Sequence, residues 1–327
     1  MNTFWEDRHV FVTGAAGFIG SWLTEELVKK GAKVTVIMRD EVGYSRFMSA
    51  GLHKNTAIVR GDLEDFACVE RILCEYEIDT IFHLGAQALV PVANRSPLST
   101  LRSNILGTCN VLEAARLNDK TVKRIIVASS DKAYGTQPIL PYHEKMPLQG
   151  ETPYDVSKSC TDLIAQAYYK SFGMPIAISR CGNVYGGGDL NFNRLIPGTI
   201  RDAIKGRAPL IRSDGKHIRD YIFVKDVVNA YITLAENIER KDICGQAFNF
   251  STGERKDVLY VVNMMLSLMN SDLKPQILNE AKIEIKEQTL DSTKAKNLLN
   301  WQSSYTIEQG LKETIEWYKE AIASNLI

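Results

Sequence analysis

The sequence predicts an α/β fold in which a doubly wound parallel sheet is followed by a smaller α/β lobe. Strand-like apolar runs alternate with helical patterns over the first 180 residues, and the strand "RIIVA" is almost wholly apolar. Such a strand is covered on both faces. A glycine-rich turn, "TGAAGFIG", joins the first strand to the first helix. Together these observations indicate a parallel sheet with helices on both faces.

The elements of the first part are predicted from their periodicity. Strands are expected at His9–Thr13, Lys33–Met38, Ala57–Val59, Thr80–Leu84, Arg124–Ser129 and Pro175–Arg180. Helices are expected at Phe18–Lys30, Phe66–Tyr76, Leu98–Leu117 and Asp155–Phe172. This order is typical of a domain built on one open sheet.

Beyond Cys181 the pattern is less regular and predicts a second lobe. Short strands are expected near Leu210 and Tyr221, and helices at Ile196–Lys205, Val224–Asn237, Asp257–Met269 and Thr306–Ser324. We place the first domain at residues 1–180 and the lobe at residues 181–327, with some segments returning to the first domain. Such a lobe would cover the carboxyl ends of the strands, where open α/β sheets bind ligands.

The composition is that of a globular protein without a strongly charged partner. The chain has 327 residues, of which 45% are apolar, and its 39 Lys and Arg balance 39 Asp and Glu. This balance argues against nucleic acid as a partner, and the apolar content argues against disorder. Residues 1–9 lack the features of a signal peptide, and no apolar run is long enough to span a bilayer. We therefore expect a soluble cytoplasmic protein that does not bind membranes.

Several polar features are expected to be structural. The six cysteines form no CxxC pair and lie inside apolar-patterned segments, so reduced thiols without disulfides or a metal site are expected. His83 and His217 are expected to be structural or rim residues. The charged stretch Lys282–Glu287 is expected to be a solvated face.

The turn Gly14–Gly20 has the GxxGxxG spacing of a dinucleotide-binding turn. Gly14 permits the tight turn, Gly17 lets the backbone approach a pyrophosphate, and Gly20 lets the helix lie close to the sheet. The helix N-terminus offers N–H donors and a positive dipole to the phosphates. No Gly-Lys-Ser/Thr follows, which excludes the phosphate-binding loop of nucleoside triphosphatases. The turn therefore predicts a bound NAD or NADP.

The second strand ends where such domains contact the ribose of the adenosine. Arg39 would pair with a 2′-phosphate and Asp40 with a free 2′-hydroxyl. We favour NADP because Arg39 directly follows the strand. Asp62, just after the third strand, is placed to reach the adenine, or else to cap the helix that starts near Phe66.

Tyr154 and Lys158, in "YDVSK", are four residues apart on a predicted helix and so share a face. A phenol with a pKa of about 10 is a poor base at neutral pH. One positive charge about 4 Å away is worth roughly 4 kcal/mol at an effective dielectric of about 20. Lys158 and an oxidised nicotinamide are therefore expected to lower the pKa of the Tyr154 phenol towards neutrality.

The motif "SSDKAYG" closes the apolar strand "RIIVA". Ser130, Asp131 and Lys132 then project from a carboxyl end of the sheet towards the cofactor cleft. The alternative is a capped turn with a solvated Asp131–Lys132 pair. With Tyr154 and Lys158, these three residues are the candidate catalytic group.

These motifs, with "HLGAQ" at 83–87 and Asn104, resemble the extended short-chain dehydrogenase/reductase family. Within it the chain is similar to the nucleotide-sugar 4,6-dehydratases, especially the CDP-glucose group, over almost its whole length. The Asp131–Lys132 pair distinguishes that group, since the dTDP-glucose group carries Asp-Glu there and simple 4-epimerases carry no such pair. The resemblance implies a Rossmann domain, a lobe that binds a nucleotide sugar, and a homodimer packed through Leu98–Leu117 and Asp155–Phe172.

The resemblance also implies which residues hold the two ligands. The cofactor would contact Gly14, Gly17, Phe18, Ile19, Gly20, Arg39, Asp40, Asp62, Leu63, Leu84, Ala86, Asn104, Tyr154 and Lys158. The nucleotide sugar would contact Gln87, Asn183, Arg194 and Arg219. The planar fork of arginine suits phosphate oxygens. The sequence "GKHIRDYIFVKD" is closer to that of epimerases and GDP- or UDP-sugar enzymes, which leaves the nucleotide and the sugar open.

By the resemblance, Tyr154 takes the proton of the sugar 4-hydroxyl, assisted by Ser130, while hydride leaves carbon 4. The new ketone acidifies the carbon 5 hydrogen, Asp131 protonates the departing 6-hydroxyl, and Lys132 occupies the position of the carbon 5 base. Hydride returns to carbon 6, so the cofactor stays tightly bound and is recycled. A neighbouring carboxylate stabilises a charged lysine, which opposes its action as a base. Lys132 could instead orient Asp131 or a water.

Two other functions fit parts of the pattern. A nucleotide-sugar 4-epimerase needs Tyr154 and Lys158 but not Asp131 and Lys132. A non-catalytic dinucleotide-binding protein on the same fold would typically lack the tyrosine or the lysine, and both are present.

Overall fold

The computed structural model describes residues 4–280 and 285–327. The strands are, in chain order, β1 (His9–Thr13), β2 (Lys33–Met38), β3 (Ala57–Arg60), β4 (Thr80–His83), β5 (Arg124–Ala128), β6 (Ile176–Cys181), β7 (Asn183–Tyr185), β8 (Leu210–Ile211), β9 (Ile218–Arg219), β10 (Tyr221–Phe223), β11 (Ala247–Phe250), β12 (Lys256–Asp257), β13 (Gln276–Ile277) and β14 (Glu287–Gln288). The helices are α1 (Phe18–Lys29), α2 (Arg46–Ser49), α3 (Phe66–Glu75), α4 (Val90–Arg95), α5 (Pro97–Leu101), α6 (Gly107–Leu117), α7 (Pro153–Phe172), α8 (Leu195–Ile204), α9 (Val224–Asn237), α10 (Val258–Leu268), α11 (Thr293–Leu299) and α12 (Ile307–Ala323).

The predicted fold class is confirmed by a central sheet of seven parallel strands, in the order β11-β6-β5-β4-β1-β2-β3. The strand order reverses between β1 and β4. Connections leave these two strands in opposite directions, which opens a crevice at their carboxyl ends. Gly14 follows β1 and Leu84 follows β4, so both lie at this crevice.

Alternate residues of the central strands pack on opposite faces of the sheet. In β1, Val10 and Val12 belong to the core that includes Leu23 of α1 and Val227 of α9. Phe11 belongs to the core on the other face, with residues of α3, α6 and α7. A third core, of α8, α10, α12 and β10, fills the smaller lobe.

The seventh strand, β11, is not among the strands predicted from the sequence. β11 comes from within the second part of the chain and pairs with β6, at the edge of the central sheet. Helix α9 also contacts β5 and β6. A strand and a helix from beyond residue 180 thus return to the first domain, and the division at that residue stays a prediction.

The predicted helix Leu98–Leu117 is continuously helical but is not a regular α-helix throughout. A π turn, Arg102–Leu106, lies between α5 and α6. The carbonyl oxygen of Asn104, inside this turn, accepts hydrogen bonds from Thr108 and Thr161 side chains. Such turns insert one extra residue and are frequent at functional sites.

Within the described ranges, no helix combines the length and the apolar character needed to cross a membrane. In the same residues, no group of His, Cys, Asp and Glu is arranged to hold a metal ion. All six cysteines are free thiols. Of the charged stretch Lys282–Glu287, residues 282–284 lie outside the described residues, and Glu287 begins β14 rather than a solvated face.

Candidate active site

The glycine-rich turn after β1 fits the pyrophosphate of a dinucleotide. Gly14 has a φ of +73°, a conformation that favours glycine. A Cβ on Gly20 would lie 2.1 Å from the Gly14 carbonyl oxygen, so only glycine lets α1 start this close to the strand. At Gly17, the N-terminal cap of α1, a Cβ would approach no described atom except that same oxygen. The open space beside Gly17 and the free N–H groups of the first helical turn suit phosphate oxygens.

His83, the last residue of β4, joins β1 to α6 through its two ring nitrogens. Its Nδ1 lies 2.9 Å from Thr13 Oγ1 and its Nε2 lies 3.0 Å from Thr108 Oγ1. Thr13 Oγ1 also accepts a hydrogen bond from the Gly85 N–H at 2.8 Å, which holds the end of β4 beside Gly14. Burial, reinforced by the Lys158 charge, lowers the pKa of His83 to about 3. His83 is therefore a neutral, buried residue of the scaffold.

Arg39 and Asp40, the two residues expected to distinguish NADP from NAD at the adenosine ribose, contact each other. Arg39 Nε donates to Asp40 Oδ2 at 2.7 Å, and Arg39 Nη1 lies 3.9 Å from Asp62 Oδ2. The hydrogen bond to Asp40, with the charge of Asp62, raises the pKa of Arg39. The alternative role of Asp62 as a helix cap is wrong, because Asp65 caps α3 by accepting from the Cys68 N–H at 3.1 Å. The arginine thus shares its charge between two carboxylates.

The apolar residues expected at the cofactor lie around the crevice. Leu63 packs against Gly85 and Gly107, at both of which a Cβ would touch it. Leu84 and Ala86 follow β4, while Phe18 and Ile19 begin α1 and pack against the core of the smaller lobe.

Asn104 has its side chain fully engaged with the protein. Its Oδ1 accepts from the Gln87 N–H at 2.7 Å, and its Nδ2 donates to the Gln87 carbonyl at 3.2 Å and to Ser157 Oγ at 2.8 Å. The residue is 1% exposed. Asn104 therefore fixes the segment that carries Gln87 against α7.

Ser130, Asp131 and Lys132 form one hydrogen-bonded group after β5. Ser130 Oγ donates to Asp131 Oδ1 at 3.0 Å, and Lys132 Nζ donates to Asp131 Oδ2 at 3.1 Å. The short 3₁₀ turn Asp131–Tyr134 holds them, with Ser130 Oγ accepting from the Lys132 N–H at 3.2 Å. Asp131 is buried and Lys132 is partly exposed. The pair is thus half-buried, with its carboxylate inside the protein, in contrast to the alternative of a solvated pair.

A residue that no sequence motif indicates holds the other side of Lys132. The amide oxygen of Gln288, from β14, accepts a hydrogen bond from Lys132 Nζ. Gln288 is buried, and β14 pairs with β9, the strand that carries Arg219. The two residues are 156 positions apart, so no local pattern could have revealed their contact.

Tyr154 and Lys158 lie on the first turns of α7, as predicted. A capping box of Thr152 and Asp155 starts the helix, and Lys158 Nζ donates to the Ala128 carbonyl at 2.8 Å. Burial raises the pKa of Tyr154 to about 12, although the Arg194 charge and a hydrogen bond to Ser130 lower it. The expected shift towards neutrality is thus not produced by the chain alone, because Lys158 is directed at a carbonyl and burial dominates.

Three of the four residues expected at the nucleotide sugar come from the lobe, and the fourth, Gln87, follows β4. Arg194 is the N-terminal cap of α8, and its Nη1 lies 3.0 Å from Asp189 Oδ2. Its positive charge is near enough to Tyr154 to lower the pKa of the phenol. Asn183 begins β7 and donates to the Asp220 carbonyl. Arg219 Nη1 donates to the Ile218 and Lys286 carbonyls at 2.9 and 3.2 Å. The ion-pair partner of Arg194, Asp189, is not among the residues predicted from the sequence.

Comparisons with known proteins show which family the chain resembles over nearly its whole length. A family model described as GDP-mannose 4,6 dehydratase matches residues 11–314. The chain is 30% identical over 331 residues to the CDP-glucose 4,6-dehydratase of Salmonella typhimurium, which covers 97% of this chain and 92% of that protein.

Two solved structures share the fold over nearly the full chain. The dTDP-glucose 4,6-dehydratase of Bacillus anthracis, in complex with NAD, is 26% identical with a TM-score of 0.84, covering 98% of this chain and 100% of that one. The UDP-glucose 4-epimerase of Thermotoga maritima is 28% identical with a TM-score of 0.86, covering 96% and 99%. The chain therefore belongs to the GDP-mannose 4,6-dehydratase family, and the resemblance to extended short-chain dehydrogenase/reductase enzymes that its motifs predict is confirmed.

Proposed function

We propose that this chain is a nucleotide-sugar 4,6-dehydratase that converts an NDP-hexose of the CDP-glucose type into the NDP-4-keto-6-deoxyhexose. The observation that carries the proposal is the Asp131–Lys132 ion pair, whose carboxylate is buried beside Ser130. Ser130 is in turn hydrogen-bonded to Tyr154. Oxidation at carbon 4 needs only Tyr154 and Lys158. Elimination of water needs an additional acid and an additional base, and this pair supplies one of each.

The first step uses Tyr154 to take the proton of the 4-hydroxyl. When bound, the oxidised nicotinamide supplies a hydride acceptor for carbon 4 and a positive charge that stabilises the Tyr154 phenolate. Ser130, hydrogen-bonded to Tyr154, orients the phenol. The turn Gly14–Gly20 would hold the cofactor pyrophosphate, and Arg194 and Arg219 would hold the substrate diphosphate.

The cofactor is NAD(P), tightly bound and recycled, and we keep the preference for NADP as part of the proposal. Arg39 is the residue that would accept the 2′-phosphate. Asp40 and Asp62 compete with that phosphate for the guanidinium. Neighbouring structures such as the Bacillus anthracis enzyme contain NAD.

We also propose a cytoplasmic homodimer that packs through α5, α6 and α7. Large apolar side chains on these helices and on the π turn between α5 and α6 are exposed, namely Leu98, Leu106, Leu117, Leu163 and Phe172. Exposed apolar patches of this kind mark interaction surfaces. Light scattering should give the mass of two chains, and Leu163→Glu should give the mass of one. A wild-type monomer at micromolar concentration contradicts the dimer.

The function is tested with purified protein and a panel of CDP-glucose, dTDP-glucose, UDP-glucose and GDP-mannose. Mass spectrometry should show the loss of one water from at least one of them, without added reductant. Inversion of carbon 4 without loss of water would instead favour the epimerase, the activity of the structurally similar Thermotoga maritima protein. Bound cofactor without any reaction would favour the non-catalytic alternative.

A further inference from the structure

Arg46 is a buried arginine that ties α2 to α1. It begins α2, which follows the segment from Arg39 to Ser45, and is 7% exposed. Its guanidinium carbon lies 3.5 Å from the centre of the Trp22 ring, and its Nη2 donates a hydrogen bond to Glu25 Oε2. Trp22 and Glu25 both belong to α1. Arg46 is therefore fixed by the helix whose N-terminus would hold the cofactor pyrophosphate.

Arg46 also contacts the smaller lobe, at a glycine loop that precedes Asp189. A Cβ on Gly188, which has a φ of +90°, would lie 2.8 Å from Arg46 Cδ, so the aliphatic part of the arginine packs directly against this glycine. Trp22 Nε1 donates to the Gly187 carbonyl at 2.8 Å. Two side chains from the first part of the chain thus hold the backbone of a loop from the second part.

Asp189, the next residue of this loop, holds Arg194. Arg194 Nη1 donates to Asp189 Oδ2 at 3.0 Å, and Asp189 is 4% exposed. The Tyr318 hydroxyl donates to the Asp189 carbonyl and fixes its backbone. Arg194 is one of the two arginines proposed above to hold the substrate diphosphate. A displacement of Gly188 would therefore move the carboxylate that orients Arg194.

Stability alone does not account for an arginine at position 46. Burial lowers the pKa of Arg46, although the hydrogen bond to Glu25 raises it, so the charged form is disfavoured at this position. Its Nη1 is buried and has no hydrogen-bond partner among the described residues, which also costs stability. Apolar residues of similar volume often replace a buried ion pair without loss of stability. The contacts of this arginine with both α1 and the glycine loop therefore call for another explanation.

We propose that Arg46 is a positioning residue that couples binding of the cofactor to binding of the nucleotide sugar. The cofactor would contact the N-terminus of α1 and the start of the segment that ends at Arg46, and both hold this side chain. Arg46 in turn holds Gly188 and, through Asp189, the orientation of Arg194. The inference rests on the proposed function, because its second ligand is a diphosphate at Arg194. Such coupling is reciprocal, so each ligand tightens the binding of the other by the same factor.

Calorimetric titration measures the coupling with CDP, dTDP, UDP and GDP as probes, with and without saturating NAD or NADP. In the wild type, the cofactor should lower the Kd of at least one diphosphate by about 5-fold or more. Arg46→Leu keeps an apolar stem against Gly188 and Trp22 but loses the ion pair with Glu25. It should bind the cofactor alone as the wild type does, yet its Kd for the diphosphate should be the same with and without cofactor.

Three further variants separate coupling from folding. Arg46→Lys keeps a charge beside Glu25 and should retain part of the coupling. Glu25→Gln leaves the arginine in place without its carboxylate, should reduce the coupling in the same sense, and decides the matter if Arg46→Leu does not fold. Arg71→Leu, on α3, removes an exposed guanidinium that pairs with Glu75 at 2.7 Å, and this matched control should leave the coupling unchanged.

Two results overturn the role of Arg46 in coupling. One is a wild type whose diphosphate affinity does not depend on the cofactor, and the other is coupling that persists undiminished in Arg46→Leu or, if that variant does not fold, in Glu25→Gln. A merely structural role would weaken both ligands alike and lower the melting temperature in a thermal melt, which also counts against the proposal. A wild type that binds cofactor but none of the four diphosphates contradicts the proposed function itself, and the inference then falls with it.

Discussion

Lys158 Nζ donates a hydrogen bond to the Ala128 carbonyl, 2.8 Å away, and so joins the start of α7 to the end of β5. The bond fixes the helix that carries Tyr154 against the strand that leads to Ser130 and Asp131. This hydrogen bond requires that the Lys158 ammonium be buried, which disfavours its charged form. Burial lowers the pKa of Lys158 to about 8, with the charge of Asp162 opposing the shift. The catalytic geometry is therefore obtained at the expense of stability.

Lys158→Met should change how stability depends on pH. The folded pKa of about 8 lies below the value of 10.5 in the unfolded chain. Between these values the unfolded chain binds the extra proton, so the wild type gains stability as the pH rises. The unfolding free energy of the variant relative to wild type should fall by roughly 2–3 kcal/mol across that window.

Urea unfolding at both ends of the window measures this difference. Lys170→Met, at an exposed position of the same helix, is the matched control and should show no such trend. Parallel pH profiles for wild type and Lys158→Met would contradict the prediction.

His83→Gln should make the protein more resistant to acid. Because the folded pKa of about 3 lies below the unfolded value of 6.5, the unfolded chain takes up a proton first. The wild type therefore loses stability as the pH falls below 6.5, and by about pH 4.5 the loss due to His83 amounts to roughly 2–3 kcal/mol. Glutamine can still hydrogen-bond Thr13 and Thr108, but it takes up no proton on unfolding, so the loss of stability due to His83 disappears. The midpoint of acid unfolding should move down, whereas the exposed control His143→Gln should leave it unchanged.

Tyr154→Phe should bind both ligands but lose hydride transfer. The proposed mechanism assigns the 4-hydroxyl proton to Tyr154, and positioned proton transfer contributes about 10²–10⁴-fold. Stopped-flow absorbance of the reduced nicotinamide measures this step. Tyr168→Phe, on the same helix with its hydroxyl on Glu113, is the control. Near-native turnover of Tyr154→Phe would rule out the dehydrogenase-type mechanism.

Replacement of Gly17 should impair cofactor binding, whereas replacement of Gly20 should impair stability. Gly17→Leu should fold but exclude the cofactor, because its side chain fills the open space beside the α1 N-terminus. Gly20→Ala should instead lower thermal stability, since its Cβ would lie 2.1 Å from the Gly14 carbonyl oxygen. Calorimetric titration with NAD and NADP, together with thermal melts, separates the two effects. Wild-type-like cofactor binding by Gly17→Leu would refute the pyrophosphate site.

Arg39 and Asp40 should shift the choice of cofactor in opposite directions. Arg39→Ala should weaken NADP more than NAD, because it removes the partner of the 2′-phosphate. Asp40→Asn should strengthen NADP relative to NAD, because it removes the carboxylate that now holds the guanidinium at 2.7 Å. Dissociation constants for both cofactors measure the ratio. A wild type that prefers NAD, with an Arg39→Ala variant indifferent to both, would overturn the preference for NADP.

The sequence predicted best the features that depend on a few neighbouring residues. The glycine turn and the Tyr154/Lys158 pair follow from local backbone needs and from helical spacing, and the structure has both in place. The pairing of Lys132 with Gln288 depends on how β14 returns to the sheet of the lobe. The charge state of Tyr154 depends on burial by the whole fold. Neither can be read from spacing along the chain.

The missed strand and the π turn have the same cause. β11 is only four residues long and becomes a strand because β6 offers it an edge. The helical pattern Leu98–Leu117 continues through Asn104, and only tertiary hydrogen bonds to Gln87 and Ser157 mark the irregular turn. Tertiary contacts override local propensity in both cases.

Because β11 pairs with β6, the first domain cannot close its sheet until residue 250 has left the ribosome. Residues 182–246 emerge in between, and throughout that interval β6 is an open edge of six residues that are buried in the finished protein. Open apolar edges pair with other chains. Protein cut near residue 180 should therefore aggregate rather than fold, and the nascent chain has to be shielded until the lobe is made.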